Sequence, residues 1–349
     1  MLGAIIGDIV GSRFEFDEKP TEGFELFTED CDFTDDTICT VAIADAILNE
    51  QPYKETLVEW CQRYPNPKGG YGGMFLHWLV ERNHLPQASY GNGSAMRVSP
   101  VGWLFNDYEE VQRQAKQSAE VSHCHQEGIR GAQCIATVIY WLRTCRLTKD
   151  EIESAVARNF QYQLPPLRDI FRIGSNGHFD STCQETVPWA LRCFLDAEDF
   201  EGTLRNAIMA QGDTDTKGAI ACSVAEACYE IPMPSPTVPL SSCPSTCSPS
   251  SSSSTTACSK TLSSPPANGN HHKLPSLAVI GKKCNDTKVH YANLYHCIFF
   301  LSCKPFTLLI RHSFHFNPLE SSFISLGKRG RKDAGAPAPL PSSYHCFES

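Results

Sequence analysis

The first 231 residues predict an all-α fold, on three observations. Apolar residues recur at helical spacing in one segment after another. Those segments, mostly about 10 to 18 residues long, are separated by stretches rich in Pro, Gly and Asn at 65–73, 86–93, 165–177 and 212–216. Alternating strand patterns are scarce. Together these predict a compact bundle of eight or more helices.

In chain order, MLGAIIGDIVG reads as the buried first turns of a helix. No basic residue precedes the apolar run and Asp8 interrupts it, so it is not expected to be a secretory leader. TICTVAIADAILN (37–49) and ETLVEWCQRY supply the next helices, followed by EEVQRQAKQSAEVSH and GAQCIATVIYWLRTCRL. DEIESAVARNF, TVPWALRCFLDA, TLRNAIMAQ and GAIACSVAEACYE complete the set. The sequence then changes character. Residues 232–269 are almost entirely Ser, Thr and Pro, the composition of a linker that cannot bury enough apolar surface to offset the entropy of ordering. Residues 270–349 form a basic tail with no sustained period, expected to be unstructured.

Charge follows the same division. Residues 1–231 carry 19 basic against 35 acidic side chains, and residues 232–349 carry 11 against 4. The total of −9 argues against a globally basic nucleic-acid binder, and no stretch reaches the 18 apolar residues of a membrane span. No CxxC pair has a matching partner, so structural zinc is unsupported, and the cysteines read as reduced thiols of a cytoplasmic protein. The run KRGRK at 328–332 is of the kind that serves nuclear import. Nothing asks for more than a monomer.

Three acidic motifs sit at helix edges: GDIVGSRFE with Asp8 and Glu15, FTDDT with Thr34, Asp35 and Asp36, and GDTDT with Asp213, Asp215 and Thr216. Each of the last two, taken alone, is also an ordinary helix N-cap. Taken together they offer only hard oxygen donors, which select Mg²⁺, Mn²⁺ or Ca²⁺ over zinc. Four carboxylates brought together repel one another unless a cation neutralises them. They suit two divalent ions about 3.5–4 Å apart. Whether residues 34–36 and 213–216 meet in space is not fixed by their spacing. SYGNGS (89–94) leads into a helix with glycines that allow close approach to phosphate, and is equally a tight interhelical turn.

The chain resembles the ADP-ribosylglycohydrolase family through GDIVGSRFE, FTDDT, YGGMF, SYGNGSAMRVSPVGW, SAEVSH…EGIRGAQ and GDTDTKGAIACSVAEA, in that order, over about two thirds of its length. The resemblance implies an orthogonal helical bundle of that family's type. It implies a cleft with two Mg²⁺ ions, Mn²⁺ being an alternative, held by Thr34, Asp35, Asp36, Asp213, Asp215 and Thr216. It assigns Glu15, Asp35 and Asp36 to catalysis. It assigns Tyr71, Gly72, Ser89, Tyr90, Gly91, Asn92 and His123 to the substrate. The implied reaction is hydrolysis of the glycosidic bond between ADP-ribose and a modified protein side chain or a small ADP-ribose ester. The alternative is a catalytically silent relative that binds ADP-ribose or serves a structural role. Two departures stand out. The family continues after its last metal-binding helix with one further helix, whereas here Ile231 runs into MPSPTV-type sequence, which leaves an apolar face beside that helix open to solvent. Lys217 follows Thr216 where an uncharged residue is usual, either facing solvent or competing with the ions for the carboxylates.

Overall fold

A computed structural model describes residues 1–16 and 18–232, so the expectations for the linker and the basic tail lie outside the described residues. Thirteen α-helices occur among them: α1 (Leu2–Gly11), α2 (Asp35–Leu48), α3 (Tyr53–Arg63), α4 (Gly73–Val80), α5 (Gly93–Met96), α6 (Ser99–Leu104), α7 (Tyr108–Glu120), α8 (Gln126–Tyr140), α9 (Lys149–Phe160), α10 (Leu167–Ser175), α11 (Cys183–Leu195), α12 (Phe200–Met209) and α13 (Thr214–Ala225). A π-helical turn, Trp141–Cys145, extends α8. No strand forms among the described residues; two isolated bridges, Gln87 to His123 and Gly91 to Thr182, are the extended pairings there. The all-helical expectation holds. No described helix is long and apolar enough to cross a membrane.

Several ends follow from local chemistry. Thr34 caps α2 by accepting the Asp36 amide at 3.2 Å, with Asp35 and Asp36 in the first turn where the helix dipole favours negative charge. Thr148 and Glu151 close a reciprocal capping box on α9. One expectation is corrected. The stretch 165–177, read as a connection, contains α10. Pro165 and Pro166 stand just before the helix, where a missing N–H costs nothing, and Asn176-Gly177 ends it, so the breaker residues flank a short helix instead of marking a loop.

The core is organised on α13. It packs against α1, α11 and α12, and all twelve of its residues are buried. No residue of α13 itself therefore lies open, contrary to the expectation of an exposed apolar face. Its contact with α1 is unusually close. A Cβ on Gly7 would lie 2.0 Å from the Gly218 carbonyl oxygen, and one on Gly218 would lie 2.4 Å from that of Gly7. Gly3 and Gly11 meet the Cys222 and Thr214 carbonyls in the same way, so the two helices touch backbone to backbone. Any side chain at these positions must push the axes apart.

Replacing Gly7 with Ala is therefore expected to destabilise the protein by about 3 kcal/mol or more, read as a lower urea midpoint. Ala at exposed Gly72, which has open space around it, should change stability by less than about 1 kcal/mol in the same assay.

Candidate active site

The α1–α13 seam brings both ends of the helical region to one place. Asp8, fully buried on α1, accepts hydrogen bonds from the Thr34 amide (3.0 Å), the Thr34 hydroxyl (2.8 Å) and the Thr37 amide (3.0 Å). It thereby pins the start of α2 against α1. From α13 the Thr216 hydroxyl donates to Asp36 Oδ2 at 3.1 Å. Residues 34–36 and 213–216 do meet in space. Thr214, between the two acidic residues of its motif, turns away and donates to the Gly11 carbonyl at 2.8 Å.

Glu15, just beyond α1, joins Asp213 and Asp215, with one carboxylate oxygen from each lying within 4.8 Å of the others. These three could hold a metal ion. Asn92 ties the cluster to the SYGNG loop, its Nδ2 donating to Asp213 Oδ2 (2.7 Å) and to Thr186 Oγ1 (2.9 Å). Asp36 Oδ1 is buried and has no hydrogen-bond partner. A buried carboxylate oxygen left without a donor is costly, and a cation is the partner that fits a site made only of carboxylate and hydroxyl oxygens. The donor set present therefore suits a divalent ion.

Electrostatics agree with that chemistry. Burial, reinforced by the neighbouring Asp213 charge, raises the Glu15 carboxyl to about 7. Burial raises Asp8 to about 6 against the lowering effect of its hydrogen bonds. Asp35, Asp36 and Asp215 are pushed well above the ordinary carboxylate range, first by burial and then by adjacent carboxylates. Asp35 is the more accessible of the α2 pair and lies partly exposed.

The loop residues are fixed in several ways. Ser89 Oγ accepts the Gly91 amide at 3.2 Å, the Asn92 amide donates to the Ser181 carbonyl at 2.8 Å, and the Tyr90 carbonyl accepts the Cys183 amide at 3.0 Å. Tyr90 leaves its ring half exposed, edge-on to His125. His123 lies buried beneath the loop. Its Nδ1 shares a hydrogen bond with Ser122 Oγ at 2.8 Å, and its Nε2 faces Gly93, where a Cβ would stand 3.1 Å away. Burial, with Arg97 nearby, pushes His123 well below its usual range and keeps the imidazole neutral.

Tyr71 and Gly72 are placed differently from each other. The Tyr71 hydroxyl is buried and donates to the carbonyls of Tyr64 (2.7 Å) and Cys61 (3.3 Å), at the end of α3. Gly72 is exposed at the start of α4. The adjoining Gly69 approaches the site, since a Cβ there would lie 3.0 Å from Glu15 Oε2. Lys217 neither faces solvent nor joins the carboxylates; it is buried, with Nζ donating to the Gln211 carbonyl and lying 4.9 Å from the centre of the Trp189 ring. Asp8 stood in the first acidic motif without a role, and the structure makes it the acceptor that anchors α2. One feature escaped the motifs: the exposed rings of Phe16 and Phe179, stacked at 6.0 Å, had no signal in the sequence.

Comparison with known proteins points the same way. The ADP-ribosylglycohydrolase family model matches residues 1–233. The protein named ADP-ribosylhydrolase ARH3 from Bos taurus is 26% identical over 306 aligned residues, covering 66% of this chain and 83% of that protein. Its Homo sapiens counterpart is 24% identical over 305, covering 66% and 84%. An uncharacterised protein of Archaeoglobus fulgidus is 25% identical over 266, covering 64% and 84%. A solved structure titled ADP-ribosylglycohydrolase-related protein complex shares the fold, with a TM-score of 0.51 at 22% identity over 65% of this chain and 86% of that one.

The raised carboxyls give a pH dependence with a definite sign. A carboxyl held above its unfolded value binds its proton more tightly when folded, so its contribution is favourable at low pH and is lost as pH rises through that range. In EDTA, stability from Asp8 and Glu15 should fall between about pH 4 and pH 7. The thermal midpoint in Mg²⁺ minus that in EDTA should accordingly widen over the same interval; a constant gap would show that these carboxylates do not sense the ion.

Proposed function

The chain belongs to the ADP-ribosylglycohydrolase family, and on that footing we propose that it is a Mg²⁺-dependent hydrolase of the glycosidic bond between ADP-ribose and a protein side chain or a small ADP-ribose ester. The observation that carries the proposal is the Thr216–Asp36 hydrogen bond. It joins two carboxylate motifs from opposite ends of the helical region beside Glu15.

In this reading Thr34, Asp35, Asp36, Asp213, Asp215 and Thr216 would hold two Mg²⁺ ions. Bound there, the ions would polarise ribose hydroxyls and make a water molecule more acidic. The remaining work belongs to side chains of the chain itself. Glu15, beside Asp213 and Asp215, is placed to accept a proton from the attacking water. The surrounding carboxylates, Asp35 and Asp36 included, favour the positive charge that develops on the ribose ring at the transition state. Asn92 orients Asp213 and fixes the loop that carries Tyr90. Ser89 and Gly91 keep that loop tight and free of bulk, so that a diphosphate can approach the backbone. His123, held neutral, offers a hydrogen bond without charge. Tyr71 acts from behind: its hydroxyl anchors the chain that leads through Gly72 to α4. The exposed rings of Phe16 and Phe179 form the rim beside Glu15 and Gly212, where the leaving group would lie.

Release of free ADP-ribose from arginine-linked, serine-linked, thymidine-linked and O-acetyl substrates tests this directly. At least one should be cleaved in Mg²⁺, with EDTA or the double substitution Asp213→Ala/Asp215→Ala lowering the rate at least about a hundredfold. A folded, Mg²⁺-loaded protein that binds ADP-ribose yet releases none would identify it as the silent relative.

A further inference from the structure

Three buried side chains stand in a hydrogen-bonded row that ends at the SYGNG loop: Arg97, Ser122 and His123, which are 1%, 2% and 5% exposed. Arg97 follows α5, and the other two follow α7. Arg97 Nη2 donates to the Ser118 carbonyl and to Ser122 Oγ, both at 2.9 Å. Ser122 Oγ lies 2.8 Å from His123 Nδ1. A guanidinium keeps its protons inside a protein and has no lone pair to offer, so Ser122 Oγ is the acceptor in the first bond. The hydroxyl has one proton of its own, and Nδ1 is the partner left for it among the described residues. The reverse arrangement, with the proton on Nδ1, would leave the Ser122 proton buried without an acceptor, which is costly. Nδ1 therefore accepts, and a neutral ring with an accepting Nδ1 carries its proton on Nε2. Nε2 has no protein partner among the described residues. It faces a space that two glycines keep clear: a Cβ on Gly93 would lie 3.1 Å from it, and one on Gly91 would lie 3.7 Å away. The Phe75 ring packs on both ends of the row, 6.5 Å from the imidazole and 5.8 Å from the guanidinium.

We propose that Arg97 and Ser122 are positioning residues that lock His123 in the Nε2–H form, so that it meets ADP-ribose as a fixed hydrogen-bond donor. The inference rests on the proposal that the SYGNG loop holds ADP-ribose. Each group in the row donates to the next, from guanidinium to hydroxyl to imidazole, and the imidazole donates to an acceptor oxygen of the substrate. The permanent charge at the buried end polarises the row in that direction. A ring free to exchange its proton would spend part of its time presenting a lone pair to the oxygens of the diphosphate and would repel them. Burial of the ring, with the guanidinium close by, keeps a second proton off it.

Selective nitrogen-15 labelling of histidine reads the ring directly by NMR, with the His123 signals identified by their loss in His123→Gln. The full-length, ligand-free protein near neutral pH should show a proton on Nε2 and none on Nδ1. Ser122→Ala should let both tautomers appear and should weaken ADP-ribose binding about tenfold, measured by titration calorimetry in MgCl₂. Ser122→Thr keeps the hydroxyl and should restore the single tautomer. A wild-type ring with its proton on Nδ1, or with both nitrogens protonated, overturns the inference. So does a folded Ser122→Ala protein that keeps the wild-type ring signals or binds ADP-ribose within twofold of wild type, or a folded Ser122→Thr protein that shows both tautomers. Where a Ser122 variant does not fold, the wild-type ring decides: ADP-ribose must shift the Nε2 proton and leave Nδ1 bare, and an unmoved Nε2 proton overturns the proposal. A wild type that binds no ADP-ribose removes the functional reading and this inference with it, an outcome distinct from binding that the substitutions leave unchanged.

Discussion

The candidate site depends on the backbone contact between α1 and α13. Helices ordinarily keep about 8–10 Å between axes because side chains stand between them. Here glycines at 3, 7 and 11 on one helix and 218 on the other leave no side chain in the way. The close approach lets Glu15, from the start of the chain, stand with Asp213 and Asp215 from about 200 residues later, while Asp8 anchors the start of α2. The apolar burial of α13 supplies the stability that a cluster of mutually repelling acids does not.

The acidic residues serve two demands at once. Thr34, Asp35 and Asp36 cap α2 as any favourable N-terminus would, and the same residues face the cluster from the other helices. Capping α2 does not turn these residues away from the cluster. A helix N-terminus partly offsets the charge of carboxylates that face it, so it is a reasonable place to gather them. Asp8 carries the arrangement one layer deeper. By taking up the first amides of α2 it fixes the direction in which Asp36 points, and it does so from the helix that also leads into Glu15.

Much of this could be read from the residues. Helical periodicity marked α1, α2, α3, α7, α8, α9, α11, α12 and α13, because each has an apolar side turned to a common core. The short helices were harder. α10 begins after a Pro-Pro pair and ends at Asn-Gly, so its flanks outweigh its length in the pattern. The carboxylate motifs were legible as metal-type chemistry, but their meeting was not, since spacing along a chain says nothing about contacts across 180 residues. Side-chain direction was the least legible. Tyr71 turns its hydroxyl to α3 and Lys217 turns its ammonium group to Gln211, choices made by the nearest unsatisfied carbonyls and not by the motif around them.

The α1–α13 seam also governs the order in which the protein can be built. Synthesis delivers α1 first and α13 last among the described helices, so the partner that covers the glycine face of α1 arrives only after roughly 200 further residues have been made. Contacts of such long sequence separation form late and slowly. Until then α1, with nine of its ten residues destined for the interior, has α2 but not α13 to pack against. The glycine face of α1 thus stays uncovered until α13 has been made, and among the described residues the cluster of Glu15, Asp213 and Asp215 cannot assemble before then.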